Sequence, residues 1–341
     1  MSAVVTDTPP AAVASPYPSL AEIRATAARL EGKVLHTPVW RWQTGVVADS
    51  LHPDTEVWLK LELFQRTGTF KLRGALNNLA ALDAEALRRG VVAASAGNHA
   101  IAAAYAARVA GCHAKVAMPR HASPARISAC RAEGAEVLLT DTVHDAFELA
   151  QRLVAEEGRT LVHPFDGPLT AQGTGTLGLE LVEQLGRLDA VVVPVGGGGL
   201  CGGVAAAIKQ LQPACRVYGV EPFGADAMFR SFEAGEPARL ERVDTVADSL
   251  GAPYALPYSW GVCRRFVDQI VRVDDEALCR AMHALFRDMK LAVEPAAAAA
   301  TAALLGPLRA QLDGQRVALI VCGSNIDATR HAELLARGAA S

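Results

Sequence analysis

The sequence predicts an α/β fold built on parallel sheets, and two observations carry that prediction. Short β-branched runs alternate along the chain with Ala/Leu-rich amphipathic stretches, and the most conspicuous glycine run stands between such a strand and a small-residue helix. Strands alternating with helices of this length make βαβ units, which place helices on both faces of a mainly parallel sheet. At 341 residues, 51% of them hydrophobic, the chain is long enough for a large core and for roughly two domains of about 150 residues.

The elements follow in order. Residues 1–18 are Pro/Ala-rich and read as a loose tail, after which Ser19 with Glu22 three residues on forms a capping box that opens the first helix. The strand candidates are "EVWLKLEL" from Glu56, "GVVAAS" from Gly90, "AKVAM" from Ala114, "EVLLT" from Glu136, "TLVHPF" from Thr160, "DAVVVPV" from Asp189, "RVYGVEP" from Arg216 and "RVALIVCG" from Arg316. Helix candidates between them include "NHAIAAAYAARVA" from Asn98, "HDAFELAQRLVAEE" from His144 and "DEALCRAMHALFRDM" from Asp275. In "GTFKLRGALNNL", Thr69 is placed to cap a helix that carries Lys71 in its first turn, where the helix dipole disfavours an ammonium group. Such a lysine is either solvated or made to lose its proton and act as an amine.

Composition narrows the partners. The formal net charge is -3 and no Lys/Arg cluster is interleaved with aromatics, which argues against nucleic acid and for small molecules. No run approaches the roughly 18 apolar residues of a membrane span, and the start lacks a secretory pattern. Seven cysteines without C-x-x-C spacing suit reduced thiols in a cytoplasm.

Four motifs lie at strand ends, where ligands sit in such folds. Gly196, Gly197, Gly198 and Gly199 precede a helix, so their backbone N–H groups and the helix N-terminus can converge on a phosphate. The same run also suits a tight turn. Gly197, Gly199 and Gly202 satisfy G-x-G-x-x-G, with Glu221 where a ribose-binding acid would stand, so a dinucleotide is a rival ligand. Ser95, Ala96, Gly97, Asn98 and His99 form either a carboxylate site or a capped turn, Cys322 ends the last strand, and Lys71 is the fourth feature. A phosphate cradle, a carboxylate clamp and an awkwardly placed amine together are what a pyridoxal phosphate enzyme needs.

With these residues in view the chain resembles the fold-type II pyridoxal phosphate enzymes, in the serine/threonine dehydratase and serine racemase branch. "TGTFKLRGA", "SAGNH", "VGGGGL", "GVEPFGAD", "VEPAAAA" and "CGSN" occur in the family's order, from about Leu20 to Asn325. The resemblance implies two Rossmann-like three-layer αβα lobes, as in the tryptophan synthase β-like fold. The larger comprises residues 1–88 and 166–341, and the smaller, residues 89–165, is inserted into it. It implies Lys71 as the lysine that carries the cofactor and then acts as base, with Phe70 beside the ring. Residues 196–199 and the N–H of Leu200 would hold the phosphate, Asn98 would bond the 3-hydroxyl, and Cys322 would face the pyridine nitrogen. Ser95 and His99, with the Ala96–Gly97–Asn98 backbone, would bind the substrate carboxylate. The implied reaction is β-elimination of water from a 3-hydroxy amino acid, giving a 2-oxo acid and ammonia, in a homodimer or homotetramer.

Departures from the pattern sharpen this. Racemases of the branch carry a second serine where this chain has Ala96, which ranks racemisation below elimination. The relatives' divalent-cation site would use Glu221, the carbonyl near Ala225 and an acid two residues on, but that position is Ala227. "ADSLGAP", residues 247–253, replaces the familiar "ADG" near the expected substrate side chain, which suggests a larger or more polar substrate such as phenylserine, hydroxyaspartate or an intermediate of hydroxyectoine breakdown. With one helix beyond "CGSN" there is no room for an amino-acid-sensing domain, so isoleucine is not expected to inhibit. Rivals are a β-replacement enzyme of the same fold, a dinucleotide oxidoreductase and a non-catalytic amino-acid-binding module.

Overall fold

The computed structural model describes residues 16–340. Its strands form two sheets. β1 (Val39–Trp42), β2 (Glu56–Lys60), β7 (Ala190–Pro194), β8 (Arg216–Pro222), β9 (Gln269–Val273) and β10 (Arg316–Ile320) make a six-stranded sheet in the order β1-β2-β10-β7-β8-β9. β3 (Val91–Ala94), β4 (Ala114–Pro119), β5 (Glu136–Thr140) and β6 (Thr160–Leu161) make a four-stranded sheet in the order β5-β4-β3-β6. Every pairing is parallel except β1 with β2. From β7 the chain moves outward to β8 and β9, while β10 returns to pair on β7's other side. This reversal of strand order opens a crevice at the β7 and β10 carboxyl ends.

Burial explains why these segments became central strands. All five residues of β7 are buried, as a strand covered on both faces requires. Behind the sheet the Ala-rich helix Pro295–Leu305 is buried almost throughout, its small side chains enclosed by the strands on one side and the helix Asp275–Met289 on another. The first helix, Leu20–Leu30, opens with the expected capping box of Ser19 and Glu22.

Three local expectations are corrected. The tail reading falls for residues 1–15 outside the described residues, but it does not hold for 16–18: Tyr17 packs edge-on against Tyr258 and Phe266, and Pro18 accepts a hydrogen bond from Gln210. Thr69 does not cap the helix Lys71–Ala80; it forms an antiparallel bridge with Gly323, and Phe70 stands at the cap position. "TLVHPF" is a strand only to Leu161, because His163 turns back to accept the N–H of Asp166 on Nδ1 at 2.9 Å.

A buried ionic cluster fixes the helix that begins at Lys71. Arg73 donates to both oxygens of Glu62, each at 2.8 Å, and to Glu180 at 2.6 and 2.9 Å. Lys60 joins through Glu180 at 2.7 Å and the Thr37 carbonyl at 2.8 Å. Two cations and two carboxylates share the interior with every charge answered, which is the condition for tolerating them there. Among the described residues no helix is long and apolar enough to cross a membrane.

Candidate active site

Lys71 projects from the first turn of its helix into the crevice, and its Nζ donates to the Pro164 carbonyl at 2.6 Å. Among the described residues no carboxylate meets it directly. The amine is held down at about 8, chiefly by burial, with the Cys322 thiol and Glu294 acting weakly the other way. Burial, more than the helix dipole weighed in the sequence, therefore favours a neutral amine. Lys60 makes the contrast: it is fully buried where Lys71 is half-buried, and it is bonded to Glu180, Gln184 and Thr37, a satisfied ammonium.

The wall on one side of Lys71 is the glycine loop. Gly198 has φ +92, a left-handed conformation that disfavours side chains, and the helix Gly199–Leu211 starts directly after it. A Cβ on Gly197 would lie 2.2 Å from the Phe165 ring, and one on Gly199 would lie 2.3 Å from the Phe165 carbonyl oxygen. The loop is thus bare backbone by necessity, facing the segment that also holds Lys71. Gly199 and Leu200 line a narrow cavity with Phe70, Lys71, His99 and His163.

The opposite wall is the turn after β3. Ser95 accepts the N–H of Gly97 at 3.1 Å, and the helix Asn98–Ala110 begins with Gly97, not Asn98, at the cap position. Asn98 is thereby freed for a chain of polar contacts. Its amide nitrogen donates to Glu294 at 2.7 Å, and its oxygen accepts from Asn325 at 2.8 Å. Glu294 is buried and pushed up to about 7. His99 donates from Nε2 to the Val162 carbonyl at 2.7 Å, and burial holds the ring at about 3, so it is neutral. Ala96 brings no hydroxyl to this wall.

Cys322 closes the third side. It is buried, its carbonyl accepts the Phe70 N–H at 3.2 Å, and burial raises its thiol well above the usual range. The structure thus brings Phe70, Lys71, His99 and the end of the glycine loop around one cavity, with Cys322 and, through Glu294, Asn98 beside it, while Ser95 holds the turn that leads into Asn98. Glu221 lies apart, with both carboxylate oxygens accepting backbone N–H groups of Met228 and Phe229 at 3.0 and 2.7 Å. It is fully buried and engaged with its own chain's helix, away from the crevice surface where a ribose would lie, which weakens the case for a dinucleotide.

Several participants were not singled out in the sequence. His163, Pro164 and Phe165 were read as strand, although a histidine and a proline at a strand end were themselves a signal of a turn. Asn325 was noted only as a neighbour of Cys322. Arg126 gave no signal: it donates to Asp248 at 2.6 Å and to the Asn325 carbonyl at 2.9 Å, contacts made across more than a hundred residues.

Comparison with known proteins agrees with this geometry. Residues 32–323 match the family described as pyridoxal-phosphate dependent enzyme. The chain is 51% identical over 321 residues to the phenylserine dehydratase of Ralstonia pickettii, covering 94% of this chain and 97% of that one. It is 38% identical to the L-threo-3-hydroxyaspartate ammonia-lyase of a Pseudomonas species, covering 92% and 97%. Maize serine racemase superposes with a TM-score of 0.87 at 34% identity, covering 95% of this chain and 99% of that structure.

Proposed function

We propose, from the premise that the chain belongs to the pyridoxal-phosphate dependent enzyme family, that it eliminates water from a 3-hydroxy amino acid with a side chain larger than that of serine, phenylserine being the first candidate. The observation that carries the reading is Lys71: a desolvated amine near neutrality, bonded to a carbonyl and facing a side-chain-free glycine loop.

The residues present fit the cofactor. Residues 196–199 and the Leu200 N–H would take its phosphate, because this backbone is bare and a Cβ at Gly197 or Gly199 would strike Phe165. Phe70 and Cys322 would border its ring, and Asn98 would answer its hydroxyl, oriented by Glu294 and Asn325. When bound, pyridoxal phosphate supplies the electron sink that makes the α-proton of an amino acid removable.

The chain's own groups do the rest. The Lys71 amine takes the α-proton, since its lowered pKa leaves a useful neutral fraction near neutral pH. Ser95 and the N-terminus of the helix Asn98–Ala110 hold the substrate carboxylate, and neutral His99 keeps that wall free of a competing charge. The β-hydroxyl departs as water, and the released enamine becomes a 2-oxo acid plus ammonia in water. Ala96 offers no acid on the face opposite Lys71, so elimination outruns racemisation. In this reading residues 89–165 form the smaller unit, the enzyme is a homodimer or homotetramer, and its seven unpaired cysteines suit the reducing environment of a cytoplasm.

A panel of phenylserine, hydroxyaspartate, threonine and serine, assayed for 2-oxo acid, tests the proposal. Phenylserine should give the highest kcat/KM, and Lys71→Ala should lower turnover by about 10²–10⁴-fold. Turnover of none of the four, or unchanged turnover in Lys71→Ala, would refute it.

A further inference from the structure

Arg272 stands directly opposite Glu221 in the β8–β9 register. Glu221 is fully buried, and its two oxygens cap the helix Ala227–Ala234 through the N–H groups of Met228 and Phe229. Asp226, also buried, accepts Arg272 at 2.9 Å on one oxygen and Arg230 at 2.7 Å on the other. The Arg272 guanidinium lies 3.8 Å from the Phe229 ring centroid and 4.8 Å from that of Phe223, a setting in which a cation is favoured by both ring faces. The capped helix reaches the glycine loop: the Met228 methyl sits 2.6 Å from where a Cβ on Gly198 would be.

This is the place where the family resemblance implies a divalent cation, and the residues do not fit one. A divalent ion of that kind needs about six oxygen ligands with carboxylates among them. Here the third ligand position is Ala227, both Glu221 oxygens already accept backbone donors, and both Asp226 oxygens already accept from arginines.

We propose that Arg272 is a built-in cation, a positioning residue that neutralises Asp226, holds the capped helix Ala227–Ala234 and, through Met228, sets the floor of the glycine loop without a divalent metal. The last clause rests on the reading of that loop as the phosphate site. The first two do not.

The test is thermal unfolding of the holoenzyme, with a cofactor titration alongside, in chelator and in millimolar Mg²⁺, Ca²⁺ or Mn²⁺. The wild type should show the same Tm and cofactor Kd in all four. Arg272→Ala should melt lower, bind pyridoxal phosphate at least tenfold more weakly, and recover part of both losses in a divalent cation, because Asp226 then has an oxygen to give. Arg230→Ala, whose side chain is 59% exposed, should change little. Arg272→Lys, which keeps the charge, should fall between wild type and Arg272→Ala, and decides the question with the wild-type titration if the alanine variant does not fold. A wild type stabilised by divalent cations, or weakened by chelator, would overturn the proposal. So would an Arg272→Ala variant that loses nothing, or whose loss no divalent cation restores. A lowered Tm with cation rescue but unchanged cofactor Kd would retain the built-in cation and overturn its link to the phosphate site. None of these readouts depends on which amino acid is turned over.

Discussion

Lys60 and Lys71 are both withdrawn from solvent, and their partners separate a structural ammonium from a reactive amine. Burial is the largest influence on both and lowers both amines, but Lys60 has a carboxylate at 2.7 Å that opposes it, whereas Lys71 has a carbonyl at 2.6 Å and no contacting anion among the described residues. The flanking imidazoles obey the same rule. Burial holds His163 at about 4 and His99 at about 3, below the ordinary 6.5, so the unfolded chain binds these protons first as pH falls. The stability tied to neutral rings is full above pH 6.5 and is lost as pH drops toward those values. Glu221 and Glu294, raised to about 8 and about 7, act in the opposite sense, so the difference between variant and wild type is the quantity to read. In thermal melts across this window, His163→Gln should lose less stability than wild type; parallel curves would remove His163 from the account.

The glycine loop and the helix from Lys71 are rigid for different reasons, and each gives its own prediction. Gly197 is opposed by a side chain and Gly199 by backbone, both of Phe165. Gly197→Ala and Gly199→Ala should each cost about 1–3 kcal/mol and weaken cofactor binding. Adding Phe165→Ala should relieve the first and not the second, as equilibrium unfolding with cofactor titration would show. Arg73→Ala leaves Glu62 buried without a bonded cation and Glu180 with Lys60 alone, and should cost about 3–5 kcal/mol in denaturant unfolding. Legibility also differed by element. The buried runs of β7 and β10 were visible because continuous apolar residues have few alternatives. β1 and β9 were missed, since "VWRW" and "QIVRV" are short, carry an arginine each and lie at sheet edges, where polar residues are allowed to face water.

Over the whole molecule, the contacts that bring distant segments together were the least legible. The sequence made the glycine loop, Lys71 and the turn after β3 visible because each motif is local, whereas the Asn98–Glu294–Asn325 chain and the Arg73 cluster join residues whose spacing encodes nothing about contact. Arg126 is the largest example, reaching from the helix Pro124–Ala132 beside the four-stranded sheet to Asp248 and Asn325 beside the six-stranded one. If that link holds the crevice closed over substrate, Arg126→Ala should raise KM about tenfold, near 1.4 kcal/mol, with a smaller change in kcat. An unchanged KM would make it a surface ion pair. The central claim is that Lys71, alone among the six lysines, carries the cofactor. Borohydride reduction of the holoenzyme followed by peptide mass spectrometry tests it directly. The account requires the pyridoxyl mass on the peptide containing Lys71 and on no other; a label on Lys60 or any other lysine, or no label, would contradict it.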